Sequence, residues 1–220
     1  MRAADTPFAE VSPAPFSREF GQELERLIRL RRDVRRFRPD PVDEALVAVC
    51  LEALALGPSV GLSEPWRVVR VTSAEARAAV TANFEAANAE ALAVQAEERA
   101  ALYARLKLAG LREAPVHLGV FCDGASDKGA GLGQRTMPEM RAYSVVAAVQ
   151  NLWLVARALG LGVGWVSILD PERLARDLRV PEAWQLIAYL CLGWPETESE
   201  TPELERAGWE RRTPLDVTER

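Results

Sequence analysis

The 220-residue chain carries 27 basic and 32 acidic side chains, a formal net charge of −5, with 49% hydrophobic and 27% charged residues. That is the composition of an ordinary globular protein with enough chain to bury a substantial core, and the acidic total disfavours a general nucleic-acid binder. All the basic residues except Lys107 and Lys128 are Arg. Seven of them (Arg26, Arg29, Arg31, Arg32, Arg35, Arg36, Arg38) crowd around a single acid, Asp33, so this window holds +6 and the rest of the chain −11. Such a window suits a compact site for a small anion, or equally a solvated helix end complementing its dipole.

In chain order, residues 1–16 read as a loose arm with Pro7, Pro13 and Pro15. Ser17 is a plausible N-cap for a helix with Phe20, Leu24, Leu27 and Ile28 at helical spacing. A second helix is predicted from Val42 to Leu56, stopping at Gly57-Pro58, and Trp66 to Thr72 alternates like a strand. Ala74 to Leu111 is Ala-, Glu- and Arg-rich and reads as helical, its part from about 83 to 110 as a mobile lid. Val116 to Asp123 is a buried-strand candidate, followed by a flexible Gly-rich loop from Gly124 to Thr136. Met140 to Leu159 is apolar on nearly all sides, which predicts a helix buried all round, at the domain centre or in a dimer interface. A strand over Val163 to Leu169, a helix over Pro171 to Leu178 and a strand over Trp184 to Trp194 complete the chain before an acidic, then basic tail. The order predicts a single α+β domain over 17–220, a sandwich in which helices cover a sheet of four or five strands.

Cys50, Cys122 and Cys191 are odd in number and lack ligand spacing, so neither a disulfide framework nor a metal site is expected. His117, in "PVHLGVF", reads as a satisfied strand histidine. The N-terminal stretch has no apolar signal core, and the uncharged run Ala142 to Ala156 is too short to cross a bilayer, so a soluble cytoplasmic location is expected, with no membrane or nucleic-acid partner.

Glycine clusters at Gly129 to Gly133 and Gly160 to Gly164 do not match a dinucleotide fingerprint in a strand-to-helix turn. The second closes a helix and lets the next strand approach something closely. "GPSVGLSEPW" (Gly57 to Trp66) places backbone N–H groups and hydroxyls at the mouth of the sheet, as a plain connection or as a seat for a flat heterocycle. Together "RRDVRRFRPDPV" from Arg31, "GPSVGLSEPW" and "GLGVGWVSILDP" from Gly160 resemble the nitroreductase-like flavoprotein superfamily. The likeness extends over roughly residues 20 to 215 and is strongest from Gly131 to Pro171.

The resemblance implies a mixed sheet covered by helices and an interlocked homodimer with FMN at the subunit interface. It assigns Arg31, Arg32 and Arg35, with neighbouring Asp33 and Val34, to the FMN phosphate and ribityl chain, and Arg212 of the tail to the phosphate. A guanidinium fork matches phosphate oxygens. Ser59, Gly61 and Leu62 would line the isoalloxazine, partly from the partner subunit, with residues 83–110 as a lid. Asp33 and Ser167 match two polar residues that distinguish a flavin-consuming branch from ordinary nitroreductases. The activity implied is O2-dependent fragmentation of reduced FMN, supplied by a separate flavin reductase, to 5,6-dimethylbenzimidazole and erythrose 4-phosphate, with no metal. Asp33, between Arg32 and Arg35, suits accepting a proton or orienting ribityl hydroxyls, and Ser167 would act on the same chain. Glu64 departs from the neutral amide more usual before Pro-Trp. An NAD(P)H-dependent nitroreductase and a non-catalytic flavin-binding protein are the competing readings.

Overall fold

The computed structural model describes residues 16–220, so most of the predicted N-terminal arm lies outside the described residues. Helix α1 (Arg18–Leu30) starts where Ser17 Oγ accepts a hydrogen bond from the Phe20 N–H at 3.1 Å and ends at Arg31, where the backbone becomes extended. α2 (Glu44–Ala55) is capped by Asp43, buries Val47, Cys50, Ala53 and Leu54, and ends at Gly57. A Cβ on Gly57 would lie 2.6 Å from that of Ala148, so only glycine lets the chain turn there.

Four strands follow, β1 (Trp66–Arg70), β2 (Val116–Asp123), β3 (Gly162–Val166) and β4 (Trp184–Gly193), in the spatial order β1-β2-β4-β3. All three pairings are antiparallel, whereas a mixed sheet was expected. The parallel component is a single bridge, Asp33 to Val163, on the free side of β3. Successive strand residues face opposite sides. Val116, Leu118, Val120 and Cys122 of β2, with Ala188, Leu190 and Leu192 of β4, meet α2 and α5 (Met140–Ala158) in one core. Tyr189 and Cys191 join a second core with Val80 of α3 (Ala74–Ala93) and Leu174 of α6 (Pro171–Asp177). The sheet is therefore covered on both faces, which is why "VHLGVFCD" reads as a continuous apolar run.

Three expectations change. The helix predicted over 74–111 breaks after Ala93, and α4 (Glu97–Tyr103) follows. The buried Asn83 amide locks α3 to the start of α6, donating to the Asp170 carbonyl at 2.9 Å and accepting from the Asp170 N–H at 2.8 Å, so the first residue of the expected lid stretch is anchored to the packed body. β3 stops at Val166, short of Leu169, leaving Ser167 just beyond the strand. Within one chain α5 is buried on one side only: Tyr143, Val146 and Gln150 face outward. No helix among the described residues is long and apolar enough to cross a membrane.

His117 sits in the second core with Nδ1 2.9 Å from the Tyr189 hydroxyl and Nε2 without a partner, so it is half satisfied. Burial, reinforced by the charge of Arg77, lowers its pKa from 6.5 to about 4. The unfolded chain therefore takes up this proton first, and stability is full above about pH 6.5 and falls as the pH drops toward 4. Urea denaturation is expected to show a loss of roughly 2 kcal/mol between pH 7 and pH 4.5 that shrinks in His117→Gln, which cannot titrate.

Candidate functional site

Residues 33–38 form an extended strip laid along the end of the sheet. The Val34 N–H donates to the Val163 carbonyl at 3.0 Å, and the Arg38 N–H donates to the Trp194 carbonyl at 2.9 Å. Phe37 bridges to Pro195 and is fully buried. This approach depends on the glycines of "GLGVG". A Cβ on Gly162 would lie 2.7 Å from Val34 Cγ2, and one on Gly164 would collide with the Val34 carbonyl oxygen. The close neighbour that this motif implied is the arginine strip itself.

Asp33 pins the strip. Its Oδ1 accepts a hydrogen bond from the Trp165 N–H at 2.9 Å, and its Oδ2 accepts from Arg35 Nε at 2.7 Å. Arg35 also donates to the Lys107 carbonyl at 3.3 Å, tying the strip to the segment after α4. Trp153 of α5 donates from Nε1 to the Arg32 carbonyl at 3.3 Å, and the Arg31 guanidinium lies 4.8 Å above the Trp153 ring. Ser167 is exposed, two residues beyond Trp165, about 6–7 Å along the chain from it.

The cations of the strip divide into two kinds. Arg32 is spent on backbone, its Nη1 donating to the Arg31 carbonyl at 2.6 Å and its Nε to the Glu200 carbonyl at 2.9 Å, and Arg35 on Asp33 and Lys107. The Arg31 and Arg212 side chains donate to no protein acceptor among the described residues. Burial lowers the pKa of Arg31 from its usual range, Asp33 opposes this, and the charge of Arg212 adds to it. Arg32 is lowered likewise, by burial first and then by Arg212 and Arg31. Arg32 and Arg212 line a cleft of about 420 Å³ together with Arg26 and Arg29 of α1 and the acids Glu25 and Glu200, and Arg31 lies close enough to repel both Arg32 and Arg212. An anion placed there replaces repulsion by charge-assisted hydrogen bonds.

Ser59, Gly61 and Leu62 lie elsewhere in the chain. The Val60 N–H donates to Ser144 Oγ near the start of α5, whereas Arg31 sits over Trp153, about 13 Å further along that helix. Gly61, Leu62 and Glu64 all have positive φ, and the Glu64 N–H donates to Ser59 Oγ at 3.1 Å. The Gly-rich loop, expected to be merely flexible, packs on this turn. A Cβ on Gly129 would lie 2.7 Å from the Gly61 carbonyl, and Lys128 pairs with Glu64. Within one chain Arg31, Arg32, Asp33, Val34, Arg35 and Arg212 stand near one another, Ser167 follows two residues after Trp165, and Ser59, Gly61 and Leu62 lie apart.

Sequence reasoning missed Trp153, hidden in an apolar helix, and Arg141, which holds the Gly-rich loop by donating to the Gly124 carbonyl at 2.9 Å and the Ser126 carbonyl at 2.5 Å. A tryptophan inside an apolar helix that meets the Arg31–Arg32 backbone only in the folded chain has no sequence signature. An Arg at the first turn of a helix, where the dipole disfavours it, is a usable one.

An α+β sheet covered on both faces, with an arginine strip on the edge of β3, defines a class of fold, and that class has a family. Residues 28–194 match the model of the nitroreductase family, and the chain belongs to it. Within the family it groups with the 5,6-dimethylbenzimidazole synthases. It is 56% identical to the protein of that name from Rhodospirillum rubrum over 93% of this chain and 97% of that protein. It is 45% identical to the one from Rhodobacter capsulatus over 91% and 97%. Iodotyrosine deiodinase, solved with FMN and 3-iodo-L-tyrosine, shares the fold at a TM-score of 0.70 and 21% identity, covering 89% of this chain and 97% of that one.

Gly164→Ala is expected to destabilise the chain by about 1–3 kcal/mol through overpacking against Val34. Gly21→Ala, on α1 with nothing within 4 Å, is expected to stabilise it by a few tenths to about 1 kcal/mol. Urea denaturation of both variants measures the contrast.

Proposed function

We propose that the chain converts reduced FMN and O2 to 5,6-dimethylbenzimidazole, the lower ligand of cobalamin, with release of erythrose 4-phosphate. The observation that carries this reading is the 56% identity, over nearly both full lengths, to a protein named as the synthase of that compound. Asp33 supports it, as the one acid inside the cationic strip and fixed at both carboxylate oxygens.

FMN fits the residues present, because the guanidiniums of Arg31 and Arg212 stand close to each other and neither donates to a protein acceptor among the described residues. Bound in reduced form, it supplies both the carbon framework of the product and the electrons that O2 accepts. Arg31 and Arg212 hold the phosphate, while Arg32 and Arg35 hold the strip in shape around it, with Val34 as its anchor on Gly162. Each Asp33 oxygen has a second lone-pair direction left after its one hydrogen bond, enough to orient a ribityl hydroxyl or to accept its proton. Ser167, exposed just beyond the end of β3, offers a hydroxyl that both donates and accepts. A separate reductase supplies the reduced flavin.

The ring seat at Ser59, Gly61 and Leu62 comes from a second copy of the chain. Supporting this are the distance along α5 between the two halves of the site and the outward-facing apolar residues Phe20, Leu24 and Ile28 of α1 and Tyr143 and Val146 of α5, helices in contact with each other. The lid is the stretch after Ala93, through α4 to Gly110.

Incubation with reduced FMN and O2, without nicotinamide, is expected to yield 5,6-dimethylbenzimidazole by chromatography. Asp33→Asn and Ser167→Gly are each expected to lower its formation by roughly two orders of magnitude while FMN still binds. Recovery of nothing but oxidised FMN from the wild-type chain would refute the synthase reading and favour a nitroreductase. Light scattering is expected to give twice the chain mass, and Val146→Arg a monomer that no longer retains FMN.

A further inference from the structure

The C-terminal tail connects two places that the proposed reaction treats separately. α7 (Glu203–Arg206) ends at Gly208, whose φ of +76° turns the chain so that the Trp209 N–H donates to the Leu204 carbonyl at 2.8 Å. That closure aims the Trp209 ring at α4. It meets Tyr103 edge-on with ring centroids 6.0 Å apart, and the Arg99 guanidinium lies 5.1 Å from its centre. Tyr103 is itself buried and donates from its hydroxyl to Asn88 Oδ1 at 2.9 Å, so the contact carries through to α3. Three residues after Trp209, within about 11 Å of extended chain, Arg212 lines the cationic cleft beside Arg32.

We propose that this tail is a strap that ties occupancy of the phosphate site to the seating of the lid, so that the chain discriminates phosphorylated from unphosphorylated flavin at the lid as well as at the phosphate. The proposal rests on the flavin reading given above. Arg212 stands close to Arg31 and Arg32, and the like charges oppose docking of the tail. A phosphate dianion between them reverses the sign of that interaction and makes hydrogen bonds to Arg212 only when the tail is docked. Such a difference in interaction between two states is what a ligand needs to shift their balance. With Arg212 held, Trp209 loses little further freedom on packing against Tyr103, and α4 is fixed. Arg35, which donates to the Lys107 carbonyl from beside Asp33, holds the far end of the same segment. Trp209 is therefore a positioning residue, acting through Tyr103 and Arg99 with no contact to the flavin required.

Limited trypsin digestion reads the lid directly, since Arg99 and Arg105 are exposed on it. Binding is followed separately by quenching of flavin fluorescence, and oxidised FMN and riboflavin are each used at saturation. In the wild-type chain FMN is expected to slow cleavage at these sites about tenfold, within the usual range for coupling between two sites, and riboflavin to leave it unchanged. Trp209→Ala is expected to bind FMN without protection, and Trp209→Phe, which keeps an aromatic edge for Tyr103, to restore it. Equal protection by saturating riboflavin, or full protection of Trp209→Ala by FMN, would overturn the strap while leaving FMN binding intact. Absence of any flavin binding would overturn the flavin reading itself, and the strap with it.

Discussion

The site depends on how closely the backbone of residues 33–38 approaches β3. Gly162 and Gly164 leave no Cβ on the side of β3 that Val34 occupies, and the strip fills that space with its own main chain. Asp33 then fixes the register, one carboxylate oxygen on the Trp165 N–H and the other on Arg35. A hydrogen bond from a backbone N–H to a charged carboxylate is worth more than one between neutral groups, and the same carboxylate also holds Arg35 in place. The residue with the best position for chemistry is thus also the residue that builds its own surroundings. Variants at Asp33 will therefore mix a structural effect with a chemical one, which makes separate measurement of flavin binding necessary.

The second constraint is electrostatic. Seven arginines in a short window would be a costly arrangement if all were equally free, and they are not. Arg26 and Arg29 pair with acids on α1, Arg32 and Arg35 are committed to protein oxygens, Arg36 pairs with Glu203, and Arg38 faces Asp40. What remains concentrated is Arg31, partly buried over Trp153, with Arg212 arriving from the tail. A site that holds a dianion needs unneutralised charge in a place of low solvent access, and most of the neighbouring arginines serve to make that place.

Much of this was legible in the sequence. The Arg-rich window read equally as an anion site or a solvated helix end, while the late glycine cluster pointed to a close backbone approach, because charge density and absent side chains are written directly in the residue order. The helix cap at Ser17 and the buried run of β2 were equally visible. The antiparallel pairing of the whole sheet was not, since register and direction depend on partners far away in sequence. Nor was the division of labour among the arginines, which is decided by carbonyls such as those of Glu200 and Lys107, more than 70 residues from the strip. The break after Ala93 escaped because an Ala- and Glu-rich segment is helical by propensity on both sides of it, and the anchor within α3, Asn83 on Asp170, is a tertiary contact. The all-round apolarity of α5 was read correctly as a residue pattern, but one chain covers only part of it.

Placement of a flavin phosphate on Arg31 and Arg212 is tested most directly by phosphorus NMR of oxidised FMN titrated with the protein. The phosphate resonance is predicted to shift and broaden on binding, and to move back toward its free position in Arg31→Ala and Arg212→Ala chains at flavin concentrations that still quench ring fluorescence. A wild-type complex in which the ring is quenched while the phosphate resonance stays at its free position would contradict it.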